Sequence, residues 1–354
     1  MNKVTINDVA REANVHKMTV SRALRGLPSV SVETRQRILD SAKRLGYRPN
    51  PLVSALMTQV RQGRVLNQAA PLALLYEQGA RPHFKEHPIR RELVKGIQNE
   101  AELLNLKLDT HEYRKDPAWN ARLEDILYAR GIASAVVLAP ITPFLEVNLR
   151  FPKLALIGIG NRLRKPWLNR VGTDHLGNVE IVFEKLLSEG RKRIGYVSDL
   201  QIERHSFQAR LNAVRFFKQR DLPPEDHIPT YFYESPKLAG FKKWMRDHRP
   251  DAILLMGLHL PSMQRIAEVI DDPEKMIFLA MSHECEGFTG IIEANLEIGA
   301  MAVRLALHAA AVGLSGIPAN RCSSLLTGTY HRADESCQSD LTQMGRFAAE
   351  HDVI

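Results

Sequence analysis

VTINDVAREANVHKMTVSRAL, residues 4–24, decides how this chain is read. Thr5 followed by Asp8 has the spacing of a capping-box-like helix start. Ile6, Val9, Ala10 and Ala13 then recur at helical spacing. Asn14 ends that helix and Val15 is the apolar residue of the turn. A second helix is expected over Lys17–Leu24, with Val20, Ala23 and Leu24 on its inner side. The small Ala10 lets two such short helices pack closely. Ser31 caps a third helix to about Leu45, with Val32, Ile38, Ala42 and Leu45 inward and Gly46 at the left-handed C′ position. Three short helices with a tight turn between the first two make a helix-turn-helix plan.

The outward residues of the second helix are Lys17, Met18, Ser21, Arg22 and Arg25. Lys17 and Arg22 can donate to guanine O6 and N7, and Met18 can touch a thymine methyl. Thr19, Ser21, Ser31 and Thr34 carry short hydroxyls suited to phosphates, contacts that position rather than specify. Charge supports this reading. The chain carries a formal net charge of +8, and residues 1–64 alone hold twelve Lys or Arg against four Asp or Glu. The other residues hold 36 of each, so all the excess is in the N-terminal segment. That is the footprint of a nucleic-acid-binding head on a neutral body. A generic three-helix domain with a polar face has no need of such segregation.

Next comes YRPNPLVSALM, residues 47–57. Pro49 breaks the chain, Asn50 suits an N-cap, and Pro51 suits the first helical position. A short helix from Leu52 to about Val60 would barely hold alone in water. Paired on DNA with its copy from a second subunit, it places Leu56 as a wedge between base pairs.

Residues 4–57 closely resemble the head and hinge of the lactose-repressor/galactose-repressor (LacI/GalR) family, through VTINDVAREANV, MTVSRAL, VSVETRQRILDSAKRLGYRPN and NPLVSALM. The resemblance implies that His16, Lys17, Met18 and Arg22 hold the recognition-helix positions and Leu56 that of the intercalating leucine. Thr5, Tyr47 and Asn50 join the expected DNA-contacting set. His16 departs from the pattern, standing where the family usually has a serine. The resemblance also implies a dimer reading a near-palindromic operator, with a repressor's role.

The expected division is a helix-turn-helix head at 1–48, a hinge helix and linker at 49–70, a body at 71–333 and a tail at 334–354. In the body, short apolar runs alternate with helical patterns. The runs are 72–76, 106–113, 135–139, 154–159, 194–197, 252–256 and 276–281. Helical patterns fall near 89–105, 119–130, 177–189, 206–220, 236–247, 261–271 and 296–313. Such alternation implies doubly wound parallel sheets, and its length suits two lobes. The stretches 171–197, 203–217 and 294–307 resemble the family's effector domain, which is similar to periplasmic sugar-binding proteins. That implies two α/β lobes closing over a small molecule, most often a sugar, with closure altering DNA affinity.

For the ligand, the resemblance points to Arg210, at the position of a clamping arginine, and to Arg204, a basic position of some members. Asn161 follows the strand LALIGIG, and Phe84 lies in the first strand-to-helix loop, where an aromatic often stacks. Two departures stand out. Gly257-Leu258-His259 replaces the usual Asn-Asp, and Met281-Ser282-His283-Glu284 replaces Gly-Phe/Tyr-Asp-Asp. His283 and Glu284 either take over as polar anchors or are plain loop residues. A body that binds no effector and serves dimerisation is the alternative.

Other classes find no support. There is no G-x-S-x-G, no G-x-x-x-x-G-K-S/T, no H-E-x-x-H and no G-x-G-x-x-G opening a helix, so an enzyme is not expected and no cofactor is implied. Cys285, Cys322 and Cys337 have neither metal nor disulfide spacing. No run of about 18 apolar residues suggests a membrane span. The start lacks a signal-peptide core, so a cytoplasmic location is expected. The tail lacks sustained heptads, which favours a dimer over a tetramer.

Overall fold

The computed structural model describes residues 6–24, 30–45, 70–142, 144–205, 208–233, 239–256, 266, 269–270, 272–285 and 288–333. The expected hinge helix, its Leu56, Gly46 and the tail lie outside them. The chain divides into two compact units, Met1–Gln68 and Ala69–Ile354.

In the first unit α1 (Ile6–Glu12), α2 (Lys17–Leu24) and α3 (Val32–Arg44) surround a core of Val9, Ala10, Ala13, Val20, Ala23, Val30, Ile38 and Ala42. Asn14 ends α1 in the left-handed region at φ 52, and the Val15 N–H donates back to the Ala10 carbonyl at 3.0 Å. This closes the helix end and turns the chain into α2. One expectation is corrected. Val32 is 84% exposed, and Val30 is buried in its place. Ser31 is the N-cap, so Val32 begins the first turn on the outer side while Val30 folds back under the helix.

The second unit has two lobes. Lobe 1 is a six-stranded sheet in the order β13-β7-β5-β3-β1-β2, every pairing parallel. Its strands are β1 (Ala70–Glu77), β2 (Leu106–Tyr113), β3 (Ser134–Val137), β5 (Ala155–Ile159), β7 (Asn169–Thr173) and β13 (Ser323–Leu326). A small pair, β4 (Leu145–Glu146) and β6 (Leu163–Lys165), lies beside it. Lobe 2 has the order β14-β12-β11-β10-β8-β9. Its strands are β8 (Ile194–Asp199), β9 (Tyr231–Tyr233), β10 (Ala252–Met256), β11 (Met276–Met281), β12 (Gly290–Ile292) and β14 (Thr329–His331). The all-parallel expectation is corrected at one edge, where β14 runs antiparallel to β12. β14 enters lobe 2 directly from β13 of the other sheet, across residues 327 and 328.

The central strands are apolar on both faces because helices cover both sides. In β1, Leu72–Tyr76 are all at most 5% exposed. Lobe 1 is covered by α4 (His83–Glu86), α5 (Pro88–Leu103), α6 (Pro117–Ala129) and α11 (Asn295–Ala311). Lobe 2 carries α7 (His175–Ser188), α8 (Leu200–His205), α9 (Ala209–Asp221) and α10 (Phe241–His248). The helices α5 and α11 touch backbone to backbone. A Cβ added at Gly96 would meet the Leu296 carbonyl oxygen at 2.1 Å, and one at Gly299 the Leu93 oxygen at 2.3 Å. Only glycine fits at either point.

Among the described residues the chain passes between lobes three times: β7 to α7, β12 to α11, and β13 to β14. The crossings are cross-linked. The Asp174 N–H donates to the Leu326 carbonyl at 2.9 Å, and the Gly328 N–H to Asn178 Oδ1 at 2.7 Å. The cleft between the lobes is bounded by the carboxyl ends of the parallel strands, the edge where open α/β sheets bind ligands.

Candidate functional site

Two places follow from this architecture. The first is the outer side of α2. His16, Lys17 and Arg22 are exposed there and Thr19 is partly so. The His16 carbonyl accepts from the Thr19 N–H at 2.8 Å, so His16 starts α2 through its backbone. Ser31 Oγ accepts from the Thr34 N–H at 3.3 Å and donates to Thr34 Oγ1 at 2.9 Å. These two expected phosphate contacts therefore also cap α3. The side chains of Met18 and Ser21, and all of Thr5, Tyr47, Asn50 and Leu56, lie outside the described residues. Arg44 pairs with Glu12 across α3 and α1 at 3.2 Å, so it braces the head.

The second place is the cleft. At its base Arg210, the second residue of α9, donates to Glu293 Oε1 at 2.9 Å. Their side chains are only 10% and 5% exposed. Glu293 lies in the second crossing and also receives a bond from the Thr173 side chain in the first. Burial pushes its carboxyl up, against the pull of Arg210. His175, in the first turn of α7, has an enclosed Nδ1 without a hydrogen-bond partner. Burial, and then the Arg210 charge, hold its pKa well below the ordinary histidine value. The expected ligand clamp is thus an ion pair closed within the crossings.

On the lobe 1 wall, Glu92 of α5 accepts from His283 across the cleft and from Asn295 of α11 on its own lobe. The His283 N–H donates to Oε1 at 2.7 Å and the His283 ring Nδ1 lies 3.0 Å away. Asn295 Nδ2 donates to Oε2 at 3.2 Å. Beside it, Arg91 Nε donates to Glu284 Oε1 at 3.1 Å. The loop after β11 that departs from the family pattern is therefore tied to α5, and His283 and Glu284 join the lobes.

Phe84 is 3% exposed, with the edge of Tyr76 at 5.1 Å and the Arg90 guanidinium 5.4 Å from its ring centre. Its ring carries these two neighbours rather than offering an open face. Asn161 is partly exposed just past Gly160, whose φ of +71 ends β5. The Arg204 side chain and residues 257–259 lie outside the described residues. Sequence reasoning missed Glu293, Glu92, Glu77, Arg90 and Arg162. Glu77 ends β1 and accepts from the Thr142 N–H at 3.0 Å and from the Thr142 hydroxyl. Arg90 is held down at about 10 by burial and then by the like charge of Arg162, while Glu77 acts to raise it. Burial also lowers Arg162, which donates to the Pro140 carbonyl at 3.3 Å. The available signal for Glu77 was a lone carboxylate ending an apolar strand.

The model of the bacterial regulatory proteins, lacI family, matches residues 5–50, which hold the three helices of the head. Catabolite control protein A of Priestia megaterium is 50% identical over 56 residues, 16% of this chain and 17% of that protein. Its counterpart in Staphylococcus aureus (strain MRSA252) is 22% identical over 257 residues, 72% of this chain and 74% of that protein. Residues 5–50 thus match the head of this family, and the body resembles its members at low identity. The matches to the first relatives span only 15 to 17% of those proteins' own length. Among solved structures, the lac repressor dimer bound to operator and the anti-inducer ONPF aligns with a TM-score of 0.53 at 17% identity. The alignment covers 94% of this chain and 98% of that one. The CelR–cellobiose complex aligns at 0.52 and 17%, covering 93% and 99%. At such identities the two structures establish the fold alone.

Proposed function

We propose that this chain is a LacI-family transcriptional regulator, acting as a repressor, that binds a near-palindromic operator as a homodimer. One observation carries the reading: the whole positive excess lies in residues 1–64, and α2 of that segment exposes Lys17 and Arg22. The operator-bound lac repressor dimer supports both the ligand and the two-fold assembly. Lys17, Met18 and Arg22 read base edges. Thr5, His16, Thr19, Ser21, Ser31, Thr34, Tyr47 and Asn50 position the backbone, and Leu56 wedges the minor groove.

The test is titration of the full chain on a selected operator and on random duplex at several salt concentrations. Arg22→Ala is expected to cost about 1–3 kcal/mol on the operator, with little change on random DNA. Leu56→Ala is expected to weaken operator binding far more than random binding. Equal losses on both would remove the base-reading and wedge assignments.

The cleft is proposed to hold a small effector, a carbohydrate, that shifts operator affinity by binding one lobe arrangement better. The cellobiose-bound neighbour supports this ligand class. A second reading has the observation of the closed Arg210–Glu293 pair in its favour: a body that binds no effector and serves dimerisation. A metabolite that raises the thermal midpoint and changes operator affinity decides for the first.

A further inference from the structure

The edge of lobe 1 opposite the cleft carries an open groove of about 370 Å³. Leu149, Pro166, Trp167 and Ile317 supply its apolar walls, and the exposed Arg150 and Lys165 line it as well. Each wall precedes a strand: 147–150 lead into β5, 165–167 into β7, and Ile317 into β13. The Gly316 N–H donates to the Leu154 carbonyl at 2.8 Å, which fixes Ile317 beside the start of β5. Trp167 is 59% exposed and Ile317 45%. The other tryptophans are covered, Trp244 in the lobe 2 core and Trp119 beneath the Arg114 guanidinium, 3.7 Å from its ring centre. An exposed tryptophan set in an apolar groove marks a contact surface.

Charge around the groove has one sign. Residues 147–170 hold six Lys or Arg and no Asp or Glu, and residues 312–326 add Arg321 and again no acid. The Arg321 guanidinium lies 5.0 Å from the centre of the Trp167 ring. Lys165 pairs with Glu146 at 3.1 Å and Lys153 with Asp125 at 2.8 Å, both carboxylates coming from outside these segments. Arg150 and Arg321 are exposed cations beside the apolar walls. The occupant that fits brings carboxylates together with an apolar anchor. Duplex DNA would meet the cations but has nothing to fill the groove.

The chain itself contains such a segment. Residues 334–354, DESCQSDLTQMGRFAAEHDVI, hold five Asp or Glu against one Arg. Leu341, Met344 and Phe347 recur there every third residue, and Phe347 is the one aromatic. The reach is sufficient. Ile317 and Ala333 are sixteen residues apart in the chain, hence at most about 55 Å apart in space, while the 21 residues beyond Ala333 span up to about 70 Å.

We propose that the groove is the docking site of this acidic tail, with Phe347 against Trp167 and the tail carboxylates at Arg150 and Arg321. The tail starts from lobe 2, where the Ala333 N–H donates to Thr289 Oγ1 at 3.2 Å. Landing on lobe 1, it forms a strap outside the three crossings and limits how far the lobes part.

The experiment is acrylamide quenching of tryptophan emission in the full chain, with Trp167→Phe giving the background from Trp119 and Trp244. In the parent, Trp167 is expected to be shielded. Phe347→Ser, and separately Asp340→Asn with Glu350→Gln and Asp352→Asn, should remove the shielding and move the emission to the red. A peptide of residues 334–354, added to the Phe347→Ser chain, should restore the shielding, whereas the same peptide with serine at 347 should not. Higher salt should weaken the restoration, because the paired charges lie at the surface. Rescue in trans separates a lost contact from a misfolded chain.

A Trp167 as open to acrylamide in the parent as in Phe347→Ser would overturn the proposal. So would a peptide that fails to restore shielding, or a scrambled peptide that restores it equally. Shielding that survives Phe347→Ser and rises with protein concentration would assign the groove to a second copy of the chain instead of the tail.

Discussion

Arg210 is closed onto one carboxylate, whereas Arg90 and Arg162 are half-buried and lie in the field of another, Glu77. Arg210 donates to Glu293 at 2.9 Å, both side chains being nearly enclosed, so its charge is balanced inside the protein. Arg90 and Arg162 both lie in the field of Glu77, which also accepts from Thr142. A buried charge that carries its own counter-ion belongs to the frame. Family position points to Arg210 as a ligand clamp, whereas its enclosed carboxylate partner makes it part of the frame.

The largest expected effect tests the balanced side. Glu293→Ala leaves Arg210 buried without its partner and should cost about 3–5 kcal/mol, read as a fall in the urea midpoint. Replacing both, with Arg210→Met and Glu293→Gln, should recover most of that. A single-variant loss below about 1 kcal/mol would break the contrast.

Glu92 comes next. It accepts from His283 and Asn295, so Glu92→Ala strands three donors and should cost about 1–3 kcal/mol by the same measurement. A smaller change would show that the lobe contact at α5 contributes little.

The third effect depends on pH. His175 stays neutral in the fold because burial and Arg210 lower its pKa well below the ordinary value. The unfolded chain takes up a proton near pH 6.5, whereas the folded one does not. Stability from this residue is thus complete above about pH 6.5 and declines as pH falls toward the lowered value, by at most about 1.4 kcal/mol per pH unit. His175→Gln should flatten the difference between unfolding curves at pH 7 and pH 5.5. An unchanged slope would show that burial of His175 does not hold its ring neutral in the fold.

The smallest effect is at Arg162, where Arg162→Gln removes a half-buried donor to the Pro140 carbonyl and should cost at most about 1 kcal/mol. A loss comparable to that of Glu293→Ala would make the two sides alike.

Much of the frame was legible in the sequence. Helical spacing and charge located the head, and the apolar runs located the long strands, because both periods are local. The failures have physical causes. Val32 and Val30 flank the Ser31 cap, and apolar character alone does not say which of them turns inward at a helix start. The strands β7, β13 and β14 are short, and their role depends on partners distant in the chain, such as Ser323 beside Arg170. In the cleft Arg210 was found by its position in a family pattern, but its partner was not, since Glu293 lies 83 residues away. Arg90 and Arg162 look like ordinary surface arginines in the sequence, and only folding half-buries them in the field of Glu77.

The glycine contact between α5 and α11 has a mechanical consequence. With Gly96 against Leu296 and Gly299 against Leu93, the two helices mesh like gear teeth with no slack. The α5 start carries Arg90, Arg91 and Glu92, and the α11 start follows directly from Glu293. A push on either helix start is therefore carried by the pair as a single stiff lever, which leaves the three crossings as the compliant joint.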